Sequence, residues 1–142
     1  MSKKNYGIIE HTADIGISVT SGDLKGLFKG AALSMFDIIA QKKDRAGSFA
    51  GKKTLQISLS ADDKEELFVN WLNELLLLSA TRGLIFNDLR INKLNENTIE
   101  AKAVGLDSGG FEFKKEIKAA TYHGLRIEKK GKRFYAEVIF DV

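Results

Sequence analysis

Glu10-His11-Thr12-Ala13-Asp14-Ile15-Gly16-Ile17-Ser18-Val19-Thr20 is the stretch whose pattern sets the architecture. Ile15, Ile17 and Val19 alternate with Asp14, Gly16, Ser18 and Thr20, the spacing of a β-strand with one buried face. Side chains alternate across a sheet, so the polar set lies on the face opposite the core. Just before it, Glu10, His11, Thr12 and Asp14 place two acids, an imidazole and a hydroxyl within five residues. Such a cluster at a strand entrance can form a polar site on an open sheet face. Equally, Thr12 and Asp14 can make local turn hydrogen bonds while His11 is half exposed.

Outward from this strand, two helical periodicities appear. Leu24, Leu27, Phe28, Ala31, Met35, Ile38 and Ile39 recur at helical spacing after Ser21-Gly22-Asp23, where Asp23 is a candidate N-cap. Gly26 and Gly30 each cost a helix about 1 kcal/mol against alanine, which suggests close packing against a neighbour. A basic loop over 41–53 leads to Leu55, Ile57 and Leu59, alternating as in a half-buried strand. A second helix is expected from Ser60-Ala61-Asp62-Asp63, with a serine cap and acids in the first turn. Leu67, Phe68, Trp71, Leu72, Leu75 and Leu76 form its apolar face, widened by Leu77 and Leu78, so this should be the most buried helix. Trp71 reads as a core anchor. Asn73 and Glu74 interrupt the apolar run; solvent exposure is the first reading for them, and support of a neighbouring site the second.

Gly83 marks the helix stop. From Leu84 onward the pattern is strand throughout. Turns are expected at Asn95-Glu96-Asn97, at Asp107-Ser108-Gly109-Gly110 and at Gly131, an antiparallel meander. The fold class is therefore α+β: a single antiparallel-rich sheet, two amphipathic helices packed on one face, and a strand-rich C-terminal half. With 142 residues and no proline-marked linker, the chain reads as one domain, 1–142.

Composition narrows the chemistry. The chain has no cysteine, which excludes disulfides, thiolate zinc sites and a cysteine nucleophile. No apolar run approaches a membrane span and residues 1–5 lack a signal-peptide core, so a cytoplasmic protein with no membrane partner is expected. The net charge of +3 is mild, and its basic pairs are distributed along the chain beside expected turns.

Two later segments add to the open face. Alternation turns Phe111, Phe113, Ile117 and Ala119 inward and leaves Lys118 outward with Glu116, where an exposed ion pair is the simplest role. At the C-terminus Phe134, Ala136, Val138 and Phe140 take the apolar face, so Asp141 takes the other, with the α-carboxylate of Val142 beside it. Two acids at a strand end suit a hard cation if a third oxygen approaches, and Asp14 could supply it. An all-oxygen set favours calcium, magnesium or manganese over zinc. Plain solvation of Asp141 and the chain end is the alternative.

His11-Thr12-Ala13-Asp14-Ile15-Gly16, the helix segment from Glu66 to Leu76, Lys118-Ala119-Ala120-Thr121-Tyr122-His123-Gly124 and the terminal Asp141 together resemble the archease family, in order and over essentially the whole chain. The resemblance implies a non-catalytic accessory protein of the RtcB-type RNA ligase, which seals tRNA halves in tRNA splicing. It implies promotion of ligase guanylylation and of multiple turnover, with tRNA reached through the ligase. The family's functional aspartates fall on Asp14 and Asp141 and its functional lysine on Lys118. Its metal, commonly calcium with magnesium or manganese as alternatives, would use Asp14, Asp141 and an oxygen of Val142. His11 and His123 would be supporting residues. Two other classes compete. A stand-alone metal-dependent hydrolase would use His11 or His123 as base, but there is no nucleophile elbow, phosphate-cradling loop or paired-histidine motif. A chaperone-like or RNA-binding modulator calls for a clustered basic face or an aromatic platform.

Overall fold

In the computed structural model, which describes residues 6–10, 14–43 and 51–142, the alternating stretch is a strand. Strand β2 (Asp14–Ser21) buries Ile17 and Val19 and exposes Thr20. It pairs antiparallel with β1 (Tyr6–Glu10) on one side. Helix α1 (Leu24–Ile39) follows, capped by Asp23, whose Oδ1 accepts a hydrogen bond from the Gly26 N–H at 2.8 Å. Its buried residues include Leu27, Phe28, Ala31, Ala32, Met35, Phe36 and Ile39, one continuous stripe. The two helical glycines are explained by β2. A Cβ at Gly26 would lie 1.7 Å from Ser21 Oγ, and one at Gly30 would lie 3.0 Å from Val19 Cγ1.

The chain continues through β3 (Ala40–Lys42) and β4 (Lys52–Ser60) to α2 (Lys64–Arg82). This helix starts later than the sequence suggests: Ser60 closes β4, and the cap is Asp63, whose Oδ1 accepts from the Glu66 N–H at 2.8 Å. Residues 61 and 62 are held outside the helix because the Asn97 amide donates to both of their carbonyls. Glu66 completes the start by accepting from the Asp62 N–H. Trp71 is fully buried and its Nε1 donates to the Phe28 carbonyl at 2.9 Å, while the Phe28 and Phe68 rings meet edge to face. Leu77, however, is 56% exposed, and α2 buries six residues against eight in α1. The first helix is therefore the more buried one. Gly83 ends α2 with φ 65° and ψ 44°, the left-handed conformation expected of a glycine cap.

The remainder is strand: β5 (Leu84–Leu94), β6 (Thr98–Asp107), β7 (Phe111–Phe113), β8 (Ala119–Lys130) and β9 (Arg133–Asp141). The α+β class, the antiparallel pairing and the strand-rich C-terminal half follow the sequence reading. The strands do not, however, hydrogen-bond as one sheet. They form three groups, β1-β2-β9-β8, β4-β6-β5 and the short pair β3-β7. The chain changes group at the 3₁₀ turn Ser108–Gly110 and again through residues 114–118. There the N–H groups of Lys114 and Lys115 both bond to the Ile39 carbonyl, which breaks the alternation. Of the four residues expected inward, Phe111 and Ile117 are buried, Phe113 is 61% exposed at the end of β7, and Ala119 is only half-buried, Ala120 taking the core position. One continuous core still joins the groups: Ile17, Val138 and Phe140 belong to the same cluster as Ile57, Leu89 and Ile99.

Candidate functional site

The four-stranded group brings the beginning and the end of the described chain together. Strand β2 enters at Asp14 and β9 leaves at Asp141, and the two are direct register partners. On its other side Asp141 pairs with Ala119, and the Lys118 N–H donates to the Asp141 carbonyl at 2.8 Å. Asp14 and Asp141 are thus neighbours across β2 and β9, and Lys118, the last residue of the irregular segment before β8, is joined to Asp141 through the backbone. The placement is enforced by packing, since Ile17, Ala136, Val138 and Phe140 are all buried. A one-residue slip of β9 would drive Asp141 into the core and expose Phe140.

Asp14 is half-buried, Asp141 and Lys118 are exposed, and Val142 packs partly against the core. Neither carboxylate and no Lys118 ammonium has a side-chain hydrogen bond or ion pair among the described residues. The expected Lys118–Glu116 ion pair is not formed, although both side chains are exposed. Directly opposed like charges on paired strands are destabilising unless something neutralises them. Among the described residues no group of three or more Asp, Glu, His or Cys side chains assembles. The two carboxylates with an oxygen of Val142 would make an oxygen-only set, of the kind that suits a hard cation.

Strand β8 is the edge of its sheet, so the Ala120 N–H and C=O lack a strand neighbour. Asn73 supplies one. Its Oδ1 accepts from the Ala120 N–H at 2.8 Å and its Nδ2 donates to the Ala120 carbonyl at 3.2 Å. A side-chain amide on α2 thereby fixes the start of β8, directly after Lys118, so Asn73 is not the solvent-exposed residue of the first reading. Thr121 adds a further tie, its Oγ1 donating to the Ile139 carbonyl at 3.0 Å. The only sequence signal for Asn73 is an amide in the middle of an apolar helical run.

Beyond Thr121 the register breaks: the next pair is Arg126 with Glu137, so four residues of β8 oppose one of β9. Gly124 allows this with φ 68°. His123 lies exposed in that bulge, and no hydrogen bond links it to either aspartate. Tyr122 lies there too; partial burial, and then the Glu66 and Asp63 carboxylates, raise its phenol above the usual value. His11, the other expected supporting residue, lies outside the described residues, as do Thr12 and Ala13.

Residues 6–142 match the model of the Archease protein family (MTH1598/TM1083). The chain belongs to the archease family. It is similar to the archease of Methanosarcina acetivorans, with 34% identity covering 98% of this chain and 97% of that protein. The archease of Pyrococcus abyssi is likewise 34% identical, covering 98% and 99%. A solution structure of Methanobacterium thermoautotrophicum protein 1598 superposes with a TM-score of 0.72 at 27% identity, covering 99% of this chain and all of that one. A Thermotoga maritima crystal structure described as an archease and possible chaperone has the same fold at TM-score 0.61 and 21% identity, covering 94% of each chain.

Proposed function

We propose that this chain activates an RtcB-type tRNA-splicing ligase, promoting guanylylation of the ligase and multiple turnover, as an accessory protein rather than as an enzyme. The single observation that carries the reading is the register of Asp14 against Asp141, with Lys118 hydrogen-bonded to the Asp141 backbone. These are the three positions that the family resemblance singles out. In this reading Asp14, Asp141 and an oxygen of Val142 hold a divalent cation, calcium first, and the bound ion supplies positive charge that can meet phosphate oxygens. The chain's own contribution is positional. The paired strands fix the backbone spacing of the two aspartates, and Asn73 fixes the start of the edge strand directly after Lys118, whose ammonium is available to an anionic partner. The exposure of Asp141 and Lys118 suits insertion of this end of the sheet into a cleft of the ligase in the cytoplasm, with tRNA reached through that partner.

No helix among the described residues is long and apolar enough to cross a membrane, so a membrane partner plays no part in the proposal. The test is an RNA-joining assay with a fixed amount of ligase and excess RNA, with and without this protein. Several joined RNAs per ligase only when the protein is present is the expected result. Equal yields in both arms would refute the reading. Joining of RNA or hydrolysis of a phosphoester by this protein alone would favour an enzyme instead.

A further inference from the structure

The other end of the β8–β9 ribbon carries a different charge. Lys129, Lys130, Lys132 and Arg133 surround Gly131, which makes the tight turn with φ 62°. Between Arg126 and Glu137 five cations face two acids, a surplus of three, equal to the formal net charge of the whole chain. Both acids are already engaged. Arg126 bonds Glu128 at 3.1 Å and Glu137 at 3.5 Å, and Lys130 reaches Glu128 at 3.7 Å. The Tyr135 hydroxyl also donates to Glu137. Lys129, Lys132 and Arg133 are exposed and have no ion pair among the described residues.

Register distributes these cations around the tip. Lys130 pairs with Arg133 on the face that bears Arg126, Glu128 and Tyr135, while Lys129 pairs with Phe134 on the face of buried Ile127 and Ala136. Aromatic rings lie beneath two of them: the Lys129 ammonium sits 5.6 Å from the Phe134 centroid and that of Lys130 4.7 Å from Tyr135. Uncompensated positive charge on both faces of a narrow ribbon suits a flexible polyphosphate chain, which can pass over the tip and touch both. A planar bilayer would meet one face only. Arg133 stands eight residues along β9 from Asp141, about 27 Å at the usual strand rise, so this is a separate site.

We propose that the β8–β9 tip binds the phosphate backbone of single-stranded nucleic acid, and that RNA is its occupant. The choice of RNA over DNA rests on the ligase reading; the site itself does not, and its test needs no ligase. Fluorescence anisotropy with a labelled single-stranded RNA and the full chain should show binding at 50 mM salt. Three phosphate contacts give a slope of about −2 in log K against log salt, a loss of roughly fifteen-fold between 50 and 200 mM. Lys129→Gln/Lys132→Gln/Arg133→Gln should flatten that slope and weaken binding at 50 mM at least ten-fold, with an unchanged melting temperature. Removing the same charge elsewhere, Lys52→Gln/Lys53→Gln/Lys102→Gln, should leave at least half the affinity. The proposal is overturned by no salt-dependent RNA binding, by equal losses in the two triple variants, or by poly-glutamate binding as tightly as RNA. DNA of the same sequence binding as tightly as RNA would overturn the choice of RNA alone.

Discussion

Replacing Asp14 with asparagine should change the stability of this protein in opposite directions with and without calcium. Asp14 and Asp141 are opposed across β2 and β9, and neither carboxylate has a side-chain partner among the described residues. Taking the charges at about 5 Å, the usual Cβ spacing of directly opposed residues, in a solvent of dielectric constant about 80 gives a repulsion of roughly 0.8 kcal/mol. Asp14→Asn keeps the shape and removes one charge. In chelator at low ionic strength, where screening is weak, the variant should be more stable by about that amount, a rise of ~3 °C in melting temperature. With calcium at a hundred times its dissociation constant, the wild type should gain about 2.7 kcal/mol, or ~10 °C. The variant should lose most of that gain, so the order of stability inverts. Parallel calorimetric scans of both proteins in chelator and in calcium give the four values required. A variant less stable than wild type in chelator, with an undiminished calcium response, would refute the view that these carboxylates repel one another and share an ion.

Asn73→Ala leaves the buried Ala120 N–H and C=O without partners and should cost about 2 kcal/mol after the helix-propensity gain of alanine. Urea unfolding measures the loss, and an Ala120 amide still fully protected from exchange would contradict it. Gly26→Ala should destabilise by about 1–2 kcal/mol, because the new Cβ would lie 2.8 Å from Ser21 Cβ and 1.7 Å from its Oγ. Adding Ser21→Gly should restore most of it, and a single variant more stable than wild type would rule out the close approach. The Glu137 carboxylate, through its hydrogen bond and with partial burial, raises the Tyr135 phenol above its usual value. Its stabilisation is therefore complete below the unfolded tyrosine value near 10 and is lost as pH rises through the higher folded value. Unfolding of wild type and Glu137→Leu should thus converge in stability at strongly alkaline pH, and a gap that stays constant there would contradict the assignment.

Much of the scaffold is legible in local sequence because local forces set it. Asp23, Gly83 and Gly131 act through backbone groups a few residues away, and Trp71 is too large and apolar to lie anywhere but the core. The alternation of Ile15, Ile17 and Val19, and of Ala136, Val138 and Phe140, assigns Asp14 and Asp141 to one face without coordinates. That β2 and β9 are neighbours is not local information. It followed from the family resemblance, and the structure supplies the register itself. The misreadings have tertiary causes. Ser60 is a sound helix cap by type, but Asn97, distant in sequence, holds the following two carbonyls outside the helix. Phe113 keeps the alternation of β7 but ends that short strand uncovered, while the Ile39 carbonyl holds the next two residues out of strand register, and Leu77 is 56% exposed on a helical face wider than its neighbours cover. Asn73 resembles a surface amide until the unsatisfied edge of β8 is in place beside it. The division of strands into three groups depends on where irregular segments fall, which periodicity does not encode.

The most direct measurement is joined RNA per ligase molecule, with RNA in excess, for wild type and for Asp14→Ala, Lys118→Ala and Asp141→Ala, each shown to be folded. Wild type should drive repeated rounds, and each single variant should reduce the yield toward one round per ligase. Undiminished turnover with all three would contradict a shared role for the acidic pair and its neighbouring lysine.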